Sequence, residues 1–583
     1  MNPFCIPPEM ITTPPEDHLK KAIYVKHFNI IGSRVRPPMT YNKVGGGNLF
    51  LEYLMRMSVQ GPQGVDKLMT VGFRPERGTD KDCSESILKR GILFSGEIYR
   101  FLGHSNSQLK ERTCFLMNES DERIYELLAQ FGEFSQIKTT AKRAKRIGLL
   151  FSSFDQSINL QENQFGVIDD IKVRKYTFTD GCGFMSDSFA QEIQDVDRGL
   201  ESKPSVVQVR YQGYKGVLIL NPHLEDGVKV QFRNSMKKFS IPDERLRTSC
   251  TTFGVVKCSR PYTIGYLNKQ ITMLLADSGV KHSYLRQLQN NFHYMLRELC
   301  SNRQSAESYL CIKGERKLLG WLHDFGLGSP RLQRQLKALR AKEVRKMQKE
   351  KADEDESSLT QTLKCKLRVL VPKSRVVFGA CDPFQTLEYG QCVFQPTLFD
   401  EEQMEEFQGA EEVIVVRNPC YHPGDIRTLK LIKNKPEYAY LSDCIVFPTK
   451  GSRPHADESA GGDLDGDEFF VSWDKNLIPS WRSAPFDYSS NSPLVMISNA
   501  FSQLGQWTSS LQQRVSCWGY SKMPSVFGTA EEAEKKKKLK ERKHMLEYFS
   551  TYNNDLVARV DAIFMKYAAL YGPSCQECVN LNR

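Results

Sequence analysis

The spacing of apolar residues changes several times along the chain and predicts two helical regions. The first spans 121–150, where four apolar residues recur at positions i, i+3, i+4 and i+7. These residues are Ile124, Leu127, Leu128 and Phe131. The second region spans 267–349 and ends in a basic helix whose apolar residues mark one stripe. The stripe consists of Leu332, Leu336, Leu339, Val344 and Met347.

Short apolar runs separated by Gly, Pro and Asp predict two β-rich blocks, at about 165–260 and about 364–474. In the first block, Val206–Tyr211 and Val217–Leu220 are predicted strands. In the second block the apolar runs are shorter, as at Val413–Val416. Because the two blocks are similar in size and flank the second helical region, we interpret that region as a connector.

Three other segments differ from these regions in composition or in apolar spacing. Residues 1–60 contain Pro-Pro and Gly-Gly-Gly runs that interrupt long elements, so we predict an irregular N-terminal region. The acidic stretch 353–358 predicts a linker. After Trp481 the pattern is helical again, and we interpret its basic run, Lys535–Lys538, as a solvated surface.

Length and composition narrow the class of protein. At 583 residues the chain is too long for one core, and about 150 residues per domain predicts roughly four domains. Hydrophobic residues make up 40% and charged residues 26%, which excludes a disordered chain and a membrane bundle. The net charge of +11 suits a polyanionic partner, although many proteins carry a similar excess.

Cysteine usage and the start of the chain indicate the compartment. The 16 cysteines show no repeated spacing, and the first residues lack the basic flank and apolar run of a signal peptide. No apolar run approaches the roughly 18 residues that a membrane-spanning helix needs. We therefore expect a soluble intracellular protein, cytoplasmic or nuclear, with no membrane partner.

Three aspartates that alternate with a leucine and a glycine form the most informative motif. Asp463, Asp465 and Asp467 are two residues apart, which on a strand would place them on one face. Gly466 permits a tighter loop in which the carboxylates converge. Converging carboxylates repel one another and require a hard cation. Mg²⁺ is the natural candidate, because it takes carboxylate oxygens and leaves positions open for phosphate.

Other sites with this spacing fit the residues less well. A calcium-binding EF-hand loop starting at Asp463 is excluded, because its sixth and twelfth positions are Glu468 and Asp474 instead of Gly and Glu. Aspartyl phosphotransferases and sugar-nucleotide transferases usually have an apolar strand before the acids, whereas Ser459–Gly462 precedes them here. An acidic surface turn is the remaining alternative, and the three glycines that frame the three carboxylates argue against it.

The motif and its flanks resemble the signature of the cellular RNA-dependent RNA polymerases of eukaryotic gene silencing. The matching residues are Arg453, Pro454, His455, Glu458 and Gly461–Asp467. Further matches are Val371–Arg375, Gly379, Leu387–Gln391, Val416–Arg427, Tyr211–Gly216 and Ser235–Phe239. The resemblance covers roughly residues 90–480 and is most specific at the aspartate motif.

The resemblance implies a mixed α/β fold in which two double-psi β-barrels are joined by a helical connector and bordered by helical regions. In that fold Asp463, Asp465 and Asp467 are catalytic and hold two Mg²⁺ ions, with Mn²⁺ as an alternative ion. An acidic metal loop facing a Gly-flanked lysine block is also the chemistry that a triphosphate requires.

The resemblance also implies basic residues that bind nucleotide or RNA phosphates. The matching positions in the first barrel are Lys215 and either Lys237 or Lys238. Arg453 either steadies phosphate or base, or packs in a turn beside the second barrel. His455 has the same two interpretations and is not assigned a catalytic role.

The implied function is template-directed synthesis of double-stranded RNA from a single-stranded RNA template in RNA-mediated gene silencing. A 3′-hydroxyl attacks the α-phosphate of a ribonucleoside triphosphate, and pyrophosphate leaves. Proteins of the silencing pathway are candidate partners. One alternative is a catalytically silent RNA-binding or scaffold protein of a silencing complex, and another is a DNA-templated polymerase.

The expected domains follow from these assignments. They are a divergent N-terminal region (1–130), a first β-barrel (131–265), a helical connector (266–360), a second β-barrel with the aspartate loop (361–480) and a helical region (481–583). The last is expected to be shortened relative to the family.

Three further motifs receive weaker interpretations. The glycines of Thr179–Gly183 suggest a close approach of the backbone to another element or to RNA. His422–Asp425 is predicted to be a tight turn with its aspartate as a cap. Cys575 and Cys578 are interpreted as ordinary thiols, because a second pair of metal ligands is missing from their neighbourhood.

Overall fold

The chain folds into a mixed α/β structure with two large sheets and one closed barrel, which confirms the predicted class. The computed structural model describes residues 4–6, 23–31, 34–44, 47–57, 66–74, 87–137, 140–224, 227–347 and 367–488. The predicted linker at 353–358, the basic run 535–538 and the pair Cys575 and Cys578 lie outside the described residues. So does the predicted helical region beyond residue 488.

A seven-stranded sheet forms the N-terminal part of the structure. Its strands are β1 (Phe4–Ile6), β2 (Ile23–Ile31), β3 (Arg34–Val44), β4 (Leu68–Arg74), β5 (Ile92–Phe94), β6 (Glu97–Gly103) and β7 (Thr113–Met117). They lie in the order β1-β5-β6-β7-β4-β2-β3. The helices of this part are α1 (Leu49–Met57), α2 (Asn106–Lys110), α3 (Asp121–Phe131) and α4 (Thr140–Ile147).

The prediction of an irregular N-terminal region is wrong, because β2 and β3 pair over most of their length. Pro37 and Pro38 lie within β3, which is the edge strand of its sheet. An edge strand has one row of backbone groups without a neighbour, so it tolerates proline better than an inner strand does. The helix predicted near 121–150 is confirmed as α3 and α4, with Ile124, Leu128 and Phe131 buried.

A second seven-stranded sheet corresponds to the first predicted β block. Its strands are β8 (Gln156–Asn159), β9 (Phe165–Ile168), β12 (Cys182–Met185), β13 (Val206–Tyr211), β14 (Tyr214–Leu220), β15 (Val230–Arg233) and β16 (Thr252–Cys258). They lie in the order β8-β16-β13-β14-β12-β15-β9. β10 (Lys172–Val173) and β11 (Tyr176–Thr177) form a separate hairpin, and α5 (Asp187–Val196) and α6 (Glu244–Ser249) complete this part.

Five helices follow this sheet in the chain. They are α7 (Lys269–Asp277), α8 (His282–Glu298), α9 (Arg303–Lys313), α10 (Arg316–Phe325) and α11 (Pro330–Met347). The apolar stripe predicted for the last helix is confirmed: Leu332, Leu336, Val344 and Met347 are buried and Leu339 is partly buried in one core. The short strands β17 (Tyr266–Leu267) and β18 (Val369–Leu370) pair across the ends of this helical segment.

The second β block closes into a six-stranded barrel. Its strands are β19 (Ser374–Cys381), β20 (Gln391–Phe394), β21 (Glu412–Arg417), β22 (Ile426–Leu431), β23 (Cys444–Phe447) and β24 (Glu468–Ser472), and they close in the order β19-β23-β20-β22-β21-β24. Two helices accompany it, α12 (Glu401–Gln408) and α13 (His455–Glu458). The first block, in contrast, is an open sheet over the described residues.

One hydrophobic core joins the second sheet to the barrel. Val217 and Leu218 of β14 share it with Phe378 of β19 and Phe469 of β24. The two blocks therefore bury their apolar faces against each other, which brings their loops together at the rim of this shared core. Among the described helices, none combines the length and the apolar character that a bilayer crossing requires.

Candidate active site

The three aspartates lie in one tight loop between α13 and β24. Gly466 has a φ of +126°, a backbone conformation that residues with a side chain rarely adopt. The backbone N–H of Asp465 donates to Asp463 Oδ1 at 3.1 Å, and that of Asp463 donates to Asp467 Oδ2 at 3.0 Å. These two hydrogen bonds stabilise the tight loop that Gly466 permits.

Two of the three carboxylates are paired with basic side chains. Lys215 Nζ lies 2.8 and 2.7 Å from the two carboxylate oxygens of Asp465. Arg417 donates from Nε and Nη2 to Asp467 Oδ2 and Oδ1, at 2.5 and 3.2 Å. Within the part of the chain that is described, no group of three or more His, Cys, Asp or Glu side chains is arranged around a common point. The loop is acidic, but two of its carboxylates are bound to different cations of the protein, Asp465 to Lys215 and Asp467 to Arg417.

Burial and neighbouring charge separate the pKa values of these acids. Burial, and then the charges of Asp465 and Asp467, raise the pKa of Asp463 well above its ordinary value. Burial acts in the same direction on Asp465, but the charges of Lys215, Lys238 and Arg210 outweigh it and lower that pKa. The loop therefore favours a charged carboxylate at Asp465 and disfavours a charge at Asp463.

The second sheet supplies the cations that face the loop. Lys215 lies on β14 directly opposite Arg210 of β13, so the two residues form a cross-strand pair. The carboxamide of Gln208, two residues earlier on β13, donates to the backbone O of Asp465 at 3.4 Å. Because alternate residues of a strand face one side, Gln208 and Arg210 approach the loop together.

The two blocks also meet backbone to backbone. The N–H of Leu464 donates to the carbonyl O of Asp180 at 2.9 Å. Gly181 has a φ of +85°, and a Cβ built on it would lie 2.6 Å from Asp465 Cβ. The close backbone approach predicted for Thr179–Gly183 is therefore confirmed, and its partner is the aspartate loop. Burial raises the pKa of Asp180, and the nearby charge of Asp465 acts in the same direction.

Of the two alternative lysines, Lys238 is the one near the acids. Its Nζ donates to the carbonyl O of Ser235 at 2.8 Å, and the charges of Asp465 and Asp180 act on its pKa. Burial is the larger influence and lowers that pKa. Lys237 points elsewhere, with its Nζ 4.1 Å from the centre of the Tyr214 ring.

Arg453 is buried in contacts within its own segment. Its guanidinium donates to the Asp457 carboxylate at 2.5 Å and to the Asp457 carbonyl O at 2.9 Å. This is the packed turn that was one of its two sequence interpretations. His455 is similar: its Nδ1 lies 2.6 Å from Glu458, and its Nε2 accepts from the Gly390 N–H at 2.9 Å.

A buried turn supports the loop from the barrel side. Pro423–Asp425 is a 3-10 turn, as the sequence predicted, and Asp425 Oδ2 accepts from the N–H groups of Tyr421 and His422 at 2.8 and 3.0 Å. The same oxygen accepts from the Tyr488 hydroxyl at 2.7 Å. A Cβ on Gly461, just before the aspartates, would lie 3.2 Å from Tyr488 Cβ. Asp425 acts as a cap, and Tyr488 links that cap to the loop.

Sequence reasoning did not assign roles to four of these residues: Gln208, Arg210, Asp180 and Arg417. Arg417 and Asp180 lie inside motifs that the sequence singled out, at Val416–Arg427 and Thr179–Gly183. For Gln208 and Arg210 the available signal is the alternation along β13, because Lys215 lies opposite Arg210 and Gln208 shares the face of Arg210.

Comparison with known proteins identifies the family. A sequence profile described as RNA dependent RNA polymerase matches residues 51–583. The chain belongs to the RNA-dependent RNA polymerase family. The resemblance of the aspartate motif is thereby confirmed, and it extends through nearly all of the chain.

Plant members of the family share about a third of their aligned residues with this chain. RNA-dependent RNA polymerase 2 of Arabidopsis thaliana is 34% identical over 450 residues, which are 73% of this chain and 37% of the relative. Probable RNA-dependent RNA polymerase 1 of Oryza sativa subsp. japonica is 32% identical over 459 residues, which are 75% of this chain and 58% of the relative. The chain therefore spans between about a third and three fifths of these relatives' length.

A solved structure shares the fold. The RNA dependent RNA polymerase QDE-1 from Thielavia terrestris superposes with a TM-score of 0.58 at 19% sequence identity. The superposition covers 81% of this chain and 55% of that chain. At this identity the likeness shows a shared fold.

Proposed function

We propose that this chain carries the active site of an RNA-directed RNA polymerase that copies single-stranded RNA into double-stranded RNA in RNA-mediated gene silencing. The observation that carries the proposal is the contact between the aspartate loop of the barrel and Lys215 of the second sheet. Acids that suit a metal thus lie directly against cations that suit a triphosphate.

The reaction is the attack of an RNA 3′-hydroxyl oxygen on the α-phosphorus of a ribonucleoside triphosphate. A new P–O bond forms, the bond between the α-phosphorus and the bridging oxygen breaks, pyrophosphate leaves, and the hydroxyl proton passes to solvent. Lys215 and Lys238 would bind the negative charge of the triphosphate in this step, since both approach Asp465 from the second sheet. Lys237 and Arg453 have the weaker claim, because their contacts are with the Tyr214 ring and with Asp457 instead of with the three aspartates.

The donor chemistry of the loop fits two Mg²⁺ ions, with Mn²⁺ as the alternative. Three carboxyl groups lie within five residues, and burial together with the charges of Asp465 and Asp467 raises the pKa of Asp463. This concentration of oxygen ligands is one that a hard cation would neutralise. Asp463, Asp465 and Asp467 would be the ligands. When bound, such ions activate the attacking hydroxyl and stabilise the leaving oxygens. Arg417, through its two bonds to Asp467, would orient one ligand.

We also propose the double-psi topology for both β blocks, with α7–α11 as the connector between them. The pairing pattern supports this, because each block contains two parallel pairs among antiparallel ones. The pairs are β12/β14 and β9/β15 in the sheet, and β19/β23 and β20/β22 in the barrel. The domain limits predicted at residues 130, 265, 360 and 480 belong to the same proposal.

A test of the function is incorporation of labelled ribonucleotides on single-stranded RNA, with and without Mg²⁺. Asp465→Ala is expected to reduce incorporation to background, whereas Asp195→Ala, an exposed carboxylate on α5, should leave it unchanged. Binding of Mn²⁺, followed by its electron paramagnetic resonance signal, should weaken in the first variant alone. Full incorporation by Asp465→Ala would overturn the assignment.

The second candidate is a silent RNA-binding or scaffold protein, in the nucleus or the cytoplasm, that assembles with proteins of the silencing pathway. The pairing of Asp465 with Lys215 and of Asp467 with Arg417 is the observation that favours it, since these carboxylates already have partners. It predicts salt-dependent RNA binding without incorporation under any divalent ion. Comparing RNA and DNA templates in the same assay tests the DNA-templated alternative.

A further inference from the structure

The last helix before the barrel, α11, is basic to an unusual degree. It carries seven Lys and Arg residues and a single acid, Glu343, which is buried. Glu343 is bound to Arg368 at 3.3 Å and to Lys313 at 3.8 Å, so basic residues of other segments neutralise its charge. The exposed surface of this helix therefore carries positive charge without an interspersed acid.

Four of these cations share the outward face. Arg331, Arg334, Lys342 and Arg345 are spaced i, i+3, i+11 and i+14, which returns to the same side of a helix at 3.6 residues per turn. All four are exposed, and the stripe extends over about 21 Å at 1.5 Å per residue. Arg334, Lys342 and Arg345 have no acidic side chain within 4 Å among the described residues. We call these four residues the basic stripe.

Such a stripe is unfavourable unless something neutralises it. Like charges three or four residues apart on a helix destabilise it, and solvated helices usually alternate their signs. Arginine predominates over lysine here, and its planar group binds phosphate oxygens in pairs. A polyanion that follows the helix would relieve this repulsion.

Aromatic residues lie beside the stripe, on α10. The Arg331 guanidinium is 4.2 Å from the centre of the Trp321 ring, and Lys317 Nζ is 5.6 Å from it. One turn further along, Phe325 is 67% exposed at the end of the helix. An exposed apolar ring on α10, followed along the chain by the basic stripe of α11, is a combination that suits single strands, because free bases stack on aromatic faces while cations hold the backbone. A duplex offers no free base faces.

We propose that α10 and α11 form a binding surface for single-stranded RNA, with phosphates on the basic stripe and bases against Phe325 and Trp321. The surface lies outside the aspartate loop and packs on a separate core. The choice of RNA over other polyanions rests on the proposed function. Asp324, which is exposed beside Phe325, is the acid that would oppose the strand.

The experiment measures the binding of a fluorescent, unstructured 20-nucleotide RNA to the full chain by anisotropy, in EDTA and over a range of salt concentrations. The variant Arg334→Gln/Lys342→Gln/Arg345→Gln should bind about tenfold more weakly, with the slope of log K against log salt reduced by about 2. The control Lys110→Gln/Lys430→Gln/Lys475→Gln removes the same charge from exposed positions on other elements. It should keep most of the RNA affinity and most of the salt dependence. Equal effects of the two variants would overturn the proposal.

A second variant tests the aromatic contribution. Phe325→Ala should weaken binding of the single strand about fivefold or more and leave binding of a duplex unchanged. Its control is Tyr125→Ala, which removes a ring that is 73% exposed on α3. Equal loss of single-strand and duplex binding, or no loss, would overturn the proposal. Circular dichroism of each variant excludes unfolding as the cause.

The two proposals fail separately. Binding in EDTA does not depend on catalysis, so binding that depends on the stripe together with absent incorporation would refute the polymerase proposal alone. Incorporation that depends on Asp465, with identical binding by the stripe variant and its control, would refute this surface alone.

Discussion

Gly181 is the position at which one added carbon should do most damage to the site. Its φ of +85° is rarely adopted by residues with a side chain. A Cβ there would lie 2.6, 2.7 and 2.8 Å from Cβ, Cα and N of Asp465. None of these atoms can move without the backbone of Asp465. The glycine is held on both sides, since its N–H donates to Ser235 Oγ at 3.0 Å and its carbonyl accepts from Val217 N at 2.8 Å. Gly181→Ala must therefore strain the sheet or displace the loop.

The cost can be estimated from two contributions. A left-handed backbone costs an L-residue about 1–2 kcal/mol. Forcing an additional carbon into a packed contact costs about 1–3 kcal/mol. Together they predict about 2–5 kcal/mol, which corresponds to a fall in the unfolding midpoint of about 2–4 °C if all 583 residues unfold together, and to a larger fall if a smaller domain unfolds by itself. If the loop moves instead, the pairing of Lys215 with Asp465 is lost, and incorporation falls while the midpoint changes less.

The assay compares Gly181→Ala with Gly166→Ala in thermal unfolding and in nucleotide incorporation. Gly166 lies in β9 of the same sheet, has no left-handed φ, and would place its Cβ 4.0 Å from the nearest atom, Gln231 Cγ. This control should unfold within about 1 °C of the parent chain and retain its incorporation. The reasoning is refuted if the two variants match each other in both measurements.

Two further predictions concern the buried turns around the loop. Tyr488→Phe removes a hydrogen bond to the buried Asp425 carboxylate and should cost about 1.5–3 kcal/mol of unfolding free energy, whereas Tyr294→Phe, at a ring that is 52% exposed, should cost nothing measurable in the same urea titration. Burial would raise the pKa of Glu458, but the hydrogen bonds from His455 and Tyr389 and the charge of Arg427 lower it. Because the folded pKa is below the ordinary 4.5, the ionised carboxylate stabilises the fold above pH 4.5, and this stabilisation is lost as pH falls through the folded value. The stability difference between the parent chain and Glu458→Gln should therefore be largest near neutral pH and shrink below pH 4.5; a constant difference would contradict this assignment.

The sequence predicted the local elements well where periodicity carries the information. The stripe of α11 and the strands of both β blocks follow from spacing, because burial of one face demands it. The sequence pattern does not reveal the N-terminal sheet, because its prolines indicate interruptions, whereas β3 contains them as an edge strand. Proline within a strand-like run is compatible with an edge strand as well as with a loop, and only the assembled sheet shows which of the two it is.

Within the site, the aspartates could be predicted and their partners could not. The acids alternate within five residues, so a single segment of sequence reveals them. Lys215 is 250 residues from Asp465, and Arg417 is 50 from Asp467. Contacts at such separations depend on how two folded blocks dock, which spacing along the chain does not encode. The family resemblance selected Lys215, but it did not distinguish Lys237 from Lys238, whose opposite directions appear only in the folded sheet.

The docking of the two blocks through one core also sets the charge balance of the site. The barrel alone would carry three neighbouring carboxylates with Arg417 bound to Asp467, and docking of the sheet partly buries them. Burying such charges without partners costs several kcal/mol each, and they would take up protons instead. Lys215, Lys238 and Arg210 of the sheet reverse that cost at Asp465, as the lowered pKa of this residue indicates. The apolar contact between β14 and β19 fixes these cations at the loop, so a charged Asp465 is a property of the docked pair. Weakening that shared core should therefore raise the pKa of Asp465 before it disturbs the loop itself.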